Sequence, residues 1–355
     1  MNHLPDAVPA GRHTPVEHGT PEARQAAPSR EDRYAGALLG VHVGDALGAT
    51  CEFQSWAVIR VQFPDGVWDI VGGGPFDWPA GHATDDTDLT RAVLLAYLDA
   101  LTRPGVDVVT AAADHMLAWL DGYWPGRQPG SAPRDIGGAT RTGLQRYRAT
   151  GDPRQAGAGS GAAGNGSLMR AIPTALAASD RAARIRQSMD ISAITHDDVR
   201  CTVACAAYNE IAAALLDGTP VVDAVEAGVV CAGELGQQQV ADAIRFGRAL
   251  NPAVLAATGN TYLDGDGSGY VLDSLALSVA AVLDPRPFPD VLVDIVRVGN
   301  DTDTNAAIAG GLLGARDGLP AIPTRWVEVL QFRQEFLAAA ARFAATAPPG
   351  PVPGC

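Results

Sequence analysis

Thr84-Asp85-Asp86-Thr87-Asp88 and Asp301-Thr302-Asp303-Thr304 concentrate carboxylates and hydroxyls within a few residues of one another. Each stands directly before an apolar, helix-like run. Carboxylates this dense repel, so a fold that gathers both clusters needs a compensating cation. Every donor is oxygen, which favours a hard ion such as Mg²⁺, Mn²⁺ or Ca²⁺ over zinc or copper. Either cluster alone reads equally well as an acidic N-cap, because Asp and Thr are common at helix starts. The pair, with its flanking glycines, is what points to a metal site.

The elements that must position these clusters are helical. The runs 91–101, 108–120, 199–216, 221–235, 237–250, 271–283 and 326–345 carry good helix formers at helical spacing. Short β-branched runs at 58–61 and 291–293 stand isolated, with no βαβ rhythm. An all-α domain with long Gly/Pro-rich loops is expected over 31–346. Residues 1–30 are rich in Pro, Gly, His and charge, and 347–355 hold four prolines and two glycines. Neither segment carries enough apolar surface to offset its ordering entropy, so both are expected to be disordered tails.

Composition narrows the function classes. The 355 residues are 47% hydrophobic but only 6% aromatic, so the core is built mainly of Ala, Val and Leu. Lys and Arg number 26 against 40 Asp and Glu, a net charge of -14. With no basic cluster to form a groove, extended nucleic acid is not an expected partner. Five cysteines without C-x-x-C spacing build neither a disulfide framework nor a zinc ribbon. No uninterrupted apolar stretch has the length of a membrane span, and the N-terminus lacks the apolar core of a signal peptide. A cytoplasmic location without membrane attachment is expected, as a monomer.

Further segments carry polar groups at glycine-flanked positions. Gly36, Gly40, Gly44 and Gly48 suit a tightly packed buried helix, in which Asp45, and Glu52 just beyond, are costly unless they face a polar site. Gly164-Asn165-Gly166-Ser167-Leu168-Met169-Arg170 offers successive backbone N–H groups, a plausible phosphate cradle. Thr195-His196-Asp197-Asp198 opens a helix, and Tyr270 follows the glycines of 267–269. Asp135, in Asp-Ile-Gly-Gly-Ala-Thr, is either a helix cap or a functional carboxylate. Two look-alikes fail. The 159–164 segment fits G-x-G-x-x-G but follows a polar turn instead of a strand. The Asp264–Gly269 run begins like a calcium loop but has Leu275 where the bidentate Glu belongs.

Taken together, these segments resemble the ADP-ribosylglycohydrolases, in family order and over nearly the whole ordered chain, from about Tyr34 to Leu319. Thr-Asp-Asp-Thr paired with a distant Gly-x-Asp-x-Asp-Thr, plus Asn-Gly-Ser-x-Met-Arg, carries the resemblance. Asn300 replaces a common glycine, and His82 stands where several members have an acidic or other polar residue. The resemblance implies an orthogonal multi-helix bundle with a binuclear Mg²⁺ or Mn²⁺ cleft. It implies metal ligation by Thr84, Asp85, Asp86, Asp301, Asp303 and Thr304. Glu52 matches the mobile catalytic acid, with Asp135 facing the leaving group and Asp86 a further catalytic candidate. Asn165, Gly166, Ser167, Met169 and Arg170 would hold diphosphate and ribose, His196 a ribose, and Tyr270 the adenine. The expected activity is hydrolysis of ADP-ribosyl-arginine on protein, through an oxocarbenium-like state. Serine-linked or O-acetyl-ADP-ribose, or another nucleotide-like molecule, are the alternatives. A non-catalytic ADP-ribose-binding or crystallin-like protein is a further one, which the intact acidic set disfavours.

Overall fold

The computed structural model describes residues 27–178, 180–259 and 269–346. Residues 1–26 and 347–355, which hold most of the two expected tails, and the calcium-loop look-alike up to 268 lie outside the described residues. The helices are α1 (Arg30–Gly48), α2 (Trp56–Gln62), α3 (Asp85–Thr102), α4 (Val108–Leu120), α5 (Gly138–Thr150), α6 (Pro173–Ala177), α7 (Arg181–Ala193) and α8 (Val199–Leu216). They continue with α9 (Val221–Glu234), α10 (Gln238–Gly247), α11 (Pro252–Thr258), α12 (Val271–Leu283), α13 (Phe288–Arg297), α14 (Thr302–Asp317), α15 (Thr324–Glu328) and α16 (Arg333–Thr346). Among the described residues the strands are β1 (Gln54–Ser55) and β2 (Gly299–Asn300), one short antiparallel pair. The all-α architecture is as the periodicity predicts. The β-branched runs at 58–61 and 291–293 are helical, inside α2 and α13.

The pairing of α1 with α14 organises the molecule. Ser29 opens α1 with a capping box: its hydroxyl accepts from Asp32 N–H at 3.1 Å, and the Asp32 carboxylate accepts from Ser29 N–H at 3.0 Å. From Tyr34 to Gly48 every residue of α1 is buried, so the helix runs through the core. Its glycines, four residues apart, form one face against α14. A Cβ at Gly40 would lie 2.1 Å from the Gly310 carbonyl, and one at Gly44 2.0 Å from that of Ala306. Only glycine permits backbones this close. Gly36 meets Gly314 whereas Gly48 meets Thr302, so the two helices run antiparallel. The end of α1, with Asp45, therefore lies beside the start of α14, with Asp303.

One expected helix is broken. The run 326–345 divides into α15 and α16, because the intervening chain clasps the approach to the first acidic cluster. Gln331 N–H donates to the Gly81 carbonyl at 2.9 Å, and its side-chain oxygen accepts from Ala83 N–H at 3.1 Å. Continuing the helix would forfeit both bonds. Helix α8 is apolar and long enough to cross a bilayer by length and composition, although Arg200, Asn209 and Glu210 interrupt its apolar run. It is instead a core helix, 83% of it buried within the protein.

Candidate active site

The first turns of α3 and α14 meet. Thr84 caps α3, its hydroxyl accepting from Asp86 N–H at 3.3 Å. The Thr84 and Thr304 hydroxyls each donate to Asp86 Oδ2 at 3.3 Å, one from each cluster. Asp301 precedes α14, and Asp303 and Thr304 lie in its first turn. Both helices present their partially positive ends, which favours carboxylates at these positions.

Asp45 ties α3 to α1. Its Oδ2 accepts from Thr84 N–H at 3.1 Å, Thr87 N–H at 3.2 Å and the Thr87 hydroxyl. Burial raises its carboxyl to about 6 against the pull of those bonds. Asp45 thus supports the cluster through hydrogen bonds, orienting the turn that carries Asp85 and Asp86.

Glu52 follows α1 on a turn that is also pinned. Phe53 has a φ of 61° and Asn300 a φ of 64°, both in the left-handed region. The Phe53 N–H donates to the Asn300 carbonyl at 2.7 Å, continuing the β1–β2 pair. A bulky aromatic residue in this conformation is strained and persists because its surroundings fix it. The result holds Glu52 next to Asp301.

Carboxylate oxygens of Glu52, Asp135 and Asp303 all lie within 4.8 Å of one another. Burial, and then Asp135, Asp301 and Asp45, push the Glu52 carboxyl up to about 9. Burial, then Asp86 and Glu52, raise Asp303 well above the carboxylate range. Asp85 is raised by burial and by Asp135, to which it is hydrogen-bonded carboxyl to carboxyl. Glu52 Oε2, Asp45 Oδ1, Asp86 Oδ1 and Asp303 Oδ1 are buried without hydrogen-bond partners. Buried oxygens that lack donors and repel one another are the donor set of a hard cation, so the residues present fit such an ion.

Glu52, Asp85, Asp135, Asp301 and Asp303 form the wall of a cleft of about 240 Å³, lined also by Phe53, Gly137–Thr140, Gly164–Gly166, Met169, His196, Gly269 and Thr304. Asn165 ties the cleft wall to α12, its amide donating to Asp301 Oδ2 at 2.6 Å and to the buried Ser274 Oγ at 3.0 Å. A second cavity of about 250 Å³ is lined by Trp78, His82, Asp88, Trp119 and the 126–135 loop. Asp85 and Asp135 line both cavities.

Comparison with known proteins bears on what this cleft is. The model of the ADP-ribosylglycohydrolase family matches residues 26–351. The chain belongs to that family. It is 31% identical over 313 residues to ADP-ribosylarginine hydrolase Tri1 of Pseudomonas putida, covering 85% of this chain and 75% of that protein. It is 30% identical over 310 residues to the ADP-ribosyl-[dinitrogen reductase] glycohydrolase of Rhodospirillum rubrum, covering 87% and 93%. A solved structure described as an ADP-ribosylglycohydrolase-related protein complex superposes with a TM-score of 0.71 at 32% identity, covering 90% of this chain and 99% of that one. As a member of this family the protein is a hydrolase of glycosyl bonds.

Within this ADP-ribosylglycohydrolase the predicted residues divide. Glu52, Asp85, Asp135, Asn165, Gly166, Met169, His196, Asp301, Asp303 and Thr304 line the cleft, with Thr84 and Asp86 packed against it. Ser167 and Arg170 are not among the lining residues. Both are buried behind the 164–169 loop, where the Ser167 hydroxyl donates to Ser192 Oγ at 2.9 Å, the Ser192 hydroxyl being spent on the His196 carbonyl. Tyr270 begins α12 half-buried, its backbone bridged to Gly164 and one ring face near Arg200, 5.8 Å from the centroid. Asp135 does not cap α5, whose N-cap is Gly137. The φ at Asn300 accounts for the glycine usual in the family, since Asn is among the few other residues that tolerate the left-handed region.

Sequence reasoning passed over Asp88. Trp119 and Trp124 donate their indole N–H groups to its two oxygens at 2.8 and 2.7 Å. Burial raises it to about 7. It anchors α4 and the following loop to the motif helix. Its place in Thr-Asp-Asp-Thr-Asp was visible, but the indole partners lie 31 and 36 residues away and leave no local signal.

Proposed function

We propose that the protein removes ADP-ribose from ADP-ribosylated arginine on protein, in a reaction that depends on divalent metal. The observation that carries this reading is the oxygen-only group of Glu52, Asp135 and Asp303 at the junction of the two cavities. Both relatives above are named for hydrolysing ADP-ribosyl bonds, one of them to arginine. Thr84, Asp85, Asp86, Asp301, Asp303 and Thr304 would hold a pair of Mg²⁺ or Mn²⁺ ions. Such ions would offset the clustered negative charge, polarise vicinal ribose hydroxyls and make a water more acidic.

The protein's own groups then have distinct tasks. The 164–169 loop and the helix ends bind and orient the nucleotide sugar, with the Tyr270 ring available to stack on an adenine. Asn165 fixes Asp301 by its amide. Glu52, a buried carboxyl beside Asp303, moves the proton between water and the departing group. Asp135 faces the second cavity, into which the leaving group departs. Incubating the protein with an arginine-ADP-ribosylated peptide, a serine-linked one and O-acetyl-ADP-ribose, each with Mg²⁺, Mn²⁺ or chelator, tests the reading. Release of ADP-ribose from the arginine peptide, abolished by chelator, is expected. Preference for another linkage overturns the arginine assignment, and undiminished release in chelator overturns the metal.

A further inference from the structure

His196 lines the cleft, and what its ring can do there depends on which nitrogen carries the hydrogen. The bonds behind it decide this. Arg170 is fully buried; its Nη1 donates to the Gly166 carbonyl and its Nη2 to Thr195 Oγ1 at 2.7 Å. A guanidinium only donates, so Thr195 Oγ1 is the acceptor. The same hydroxyl oxygen stands 2.7 Å from His196 Nδ1.

Thr195 is itself fully buried, and these are the contacts its hydroxyl makes among the described residues. Were Nδ1 protonated, the hydroxyl would receive two hydrogens and its own would be buried without an acceptor, which is costly. With Nδ1 bare, the hydroxyl donates to it, and the Arg170 Nη2, the Thr195 hydroxyl and Nδ1 all have partners. The hydrogen then sits on Nε2, beside the cleft wall: a Cβ at Gly164 or Gly166 would lie 3.4 or 3.3 Å from that nitrogen. Both glycines line the cleft, so their lack of a side chain keeps Nε2 uncovered.

We propose that Arg170 and Thr195 are positioning residues that lock His196 as the neutral Nε2–H tautomer, a fixed hydrogen-bond donor to an oxygen of the bound nucleotide sugar. Only the identity of that ligand rests on the proposed function. Burial, and then the nearby Arg170 charge, hold the imidazolium down to about 3, so the ring stays neutral at physiological pH. His196 therefore binds and orients but does not shuttle protons, which leaves that task to Glu52. Arg170 acts through Thr195 and the Gly166 carbonyl without touching ligand.

Long-range ¹H–¹⁵N correlation on protein labelled at its seven histidines reads the tautomer directly. The His196 signals are identified by their loss in His196→Asn. A single Nε2–H tautomer at neutral pH, in the absence of any ligand, is expected. An Nδ1–H tautomer, exchange between the two, or an imidazolium overturns the proposal. Thr195→Val should mix the tautomers and weaken ADP-ribose binding about tenfold, the effect of one lost hydrogen bond, whereas Thr195→Ser should restore both. A Val variant that keeps the single tautomer and full affinity also overturns it. If the Val variant does not fold, the wild-type spectrum and the Ser variant still decide. Failure of the wild type to bind ADP-ribose would count against the proposed function and leave the tautomer result standing.

Discussion

Raising the pH of the metal-free protein should destabilise it, and Glu52 should carry a measurable share of the loss. In the unfolded chain its carboxyl ionises near 4.5; in the folded protein burial and the neighbouring carboxylates hold the proton up to about 9. Between those values the folded state keeps a proton that the unfolded state has released. The stabilisation is therefore complete below 4.5 and is lost as pH rises through 9. A group in this regime contributes a slope of about 1.4 kcal/mol per pH unit. From about pH 6 to about pH 8 that is ~3 kcal/mol from one residue, a sizeable part of the ~5–15 kcal/mol by which domains are stable. Urea denaturation in chelator, compared between wild type and Glu52→Gln, isolates it. The wild type should lose about 3 kcal/mol more than the variant over this range, and excess Mg²⁺ should restore the wild type at the upper pH. Equal slopes in the two proteins would refute the reasoning.

Other outcomes follow from the same geometry. Glu52→Gln should lower kcat by roughly 10²–10⁴ with ADP-ribose affinity little changed, as for removal of a general acid–base; kcat within a few-fold of wild type would move that role to Asp135 or Asp86. Gly44→Ala, whose Cβ would lie 2.0 Å from the Ala306 carbonyl, should cost about 3 kcal/mol by urea denaturation and weaken metal binding, because α1 and α14 must separate. An unchanged midpoint would show that the helices have room. Removing residues 1–26 should leave turnover unchanged, since that sequence has no apolar face and the α1 cap begins at Ser29; a large loss would implicate the segment in the cleft.

Helix content was legible because α4, α8 and α12 carry their apolar periodicity locally, and their bounds match the pattern at both ends. The two acidic clusters were legible because each is a short motif. Their meeting was expected from the pairing of the two motifs and from the family resemblance; the glycine spacing of α1 showed only a tightly packed helix, because its mates in α14 lie more than 250 residues away. The break between α15 and α16 was hidden because Gln331 obeys a tertiary demand from Gly81 that no local pattern records. Arg170 illustrates the same limit. Its motif suggested a contact with the nucleotide, yet the motif could not reveal that the guanidinium bonds Thr195 and the Gly166 carbonyl behind the cleft wall.

The central claim is that the two acidic clusters form one metal centre, and calorimetric titration of Mg²⁺ or Mn²⁺ into wild type and Asp303→Ala tests it most directly. Asp303 sits in the first turn of α14 with Glu52 and Asp135 oxygens within 4.8 Å, where the carboxylates of α14 meet those from the rest of the cleft. The account predicts two ions per chain in the wild type, tighter as pH rises because the bound protons must leave, and loss of at least one ion in the variant with its fold retained. Binding of both ions by Asp303→Ala with undiminished affinity would contradict it.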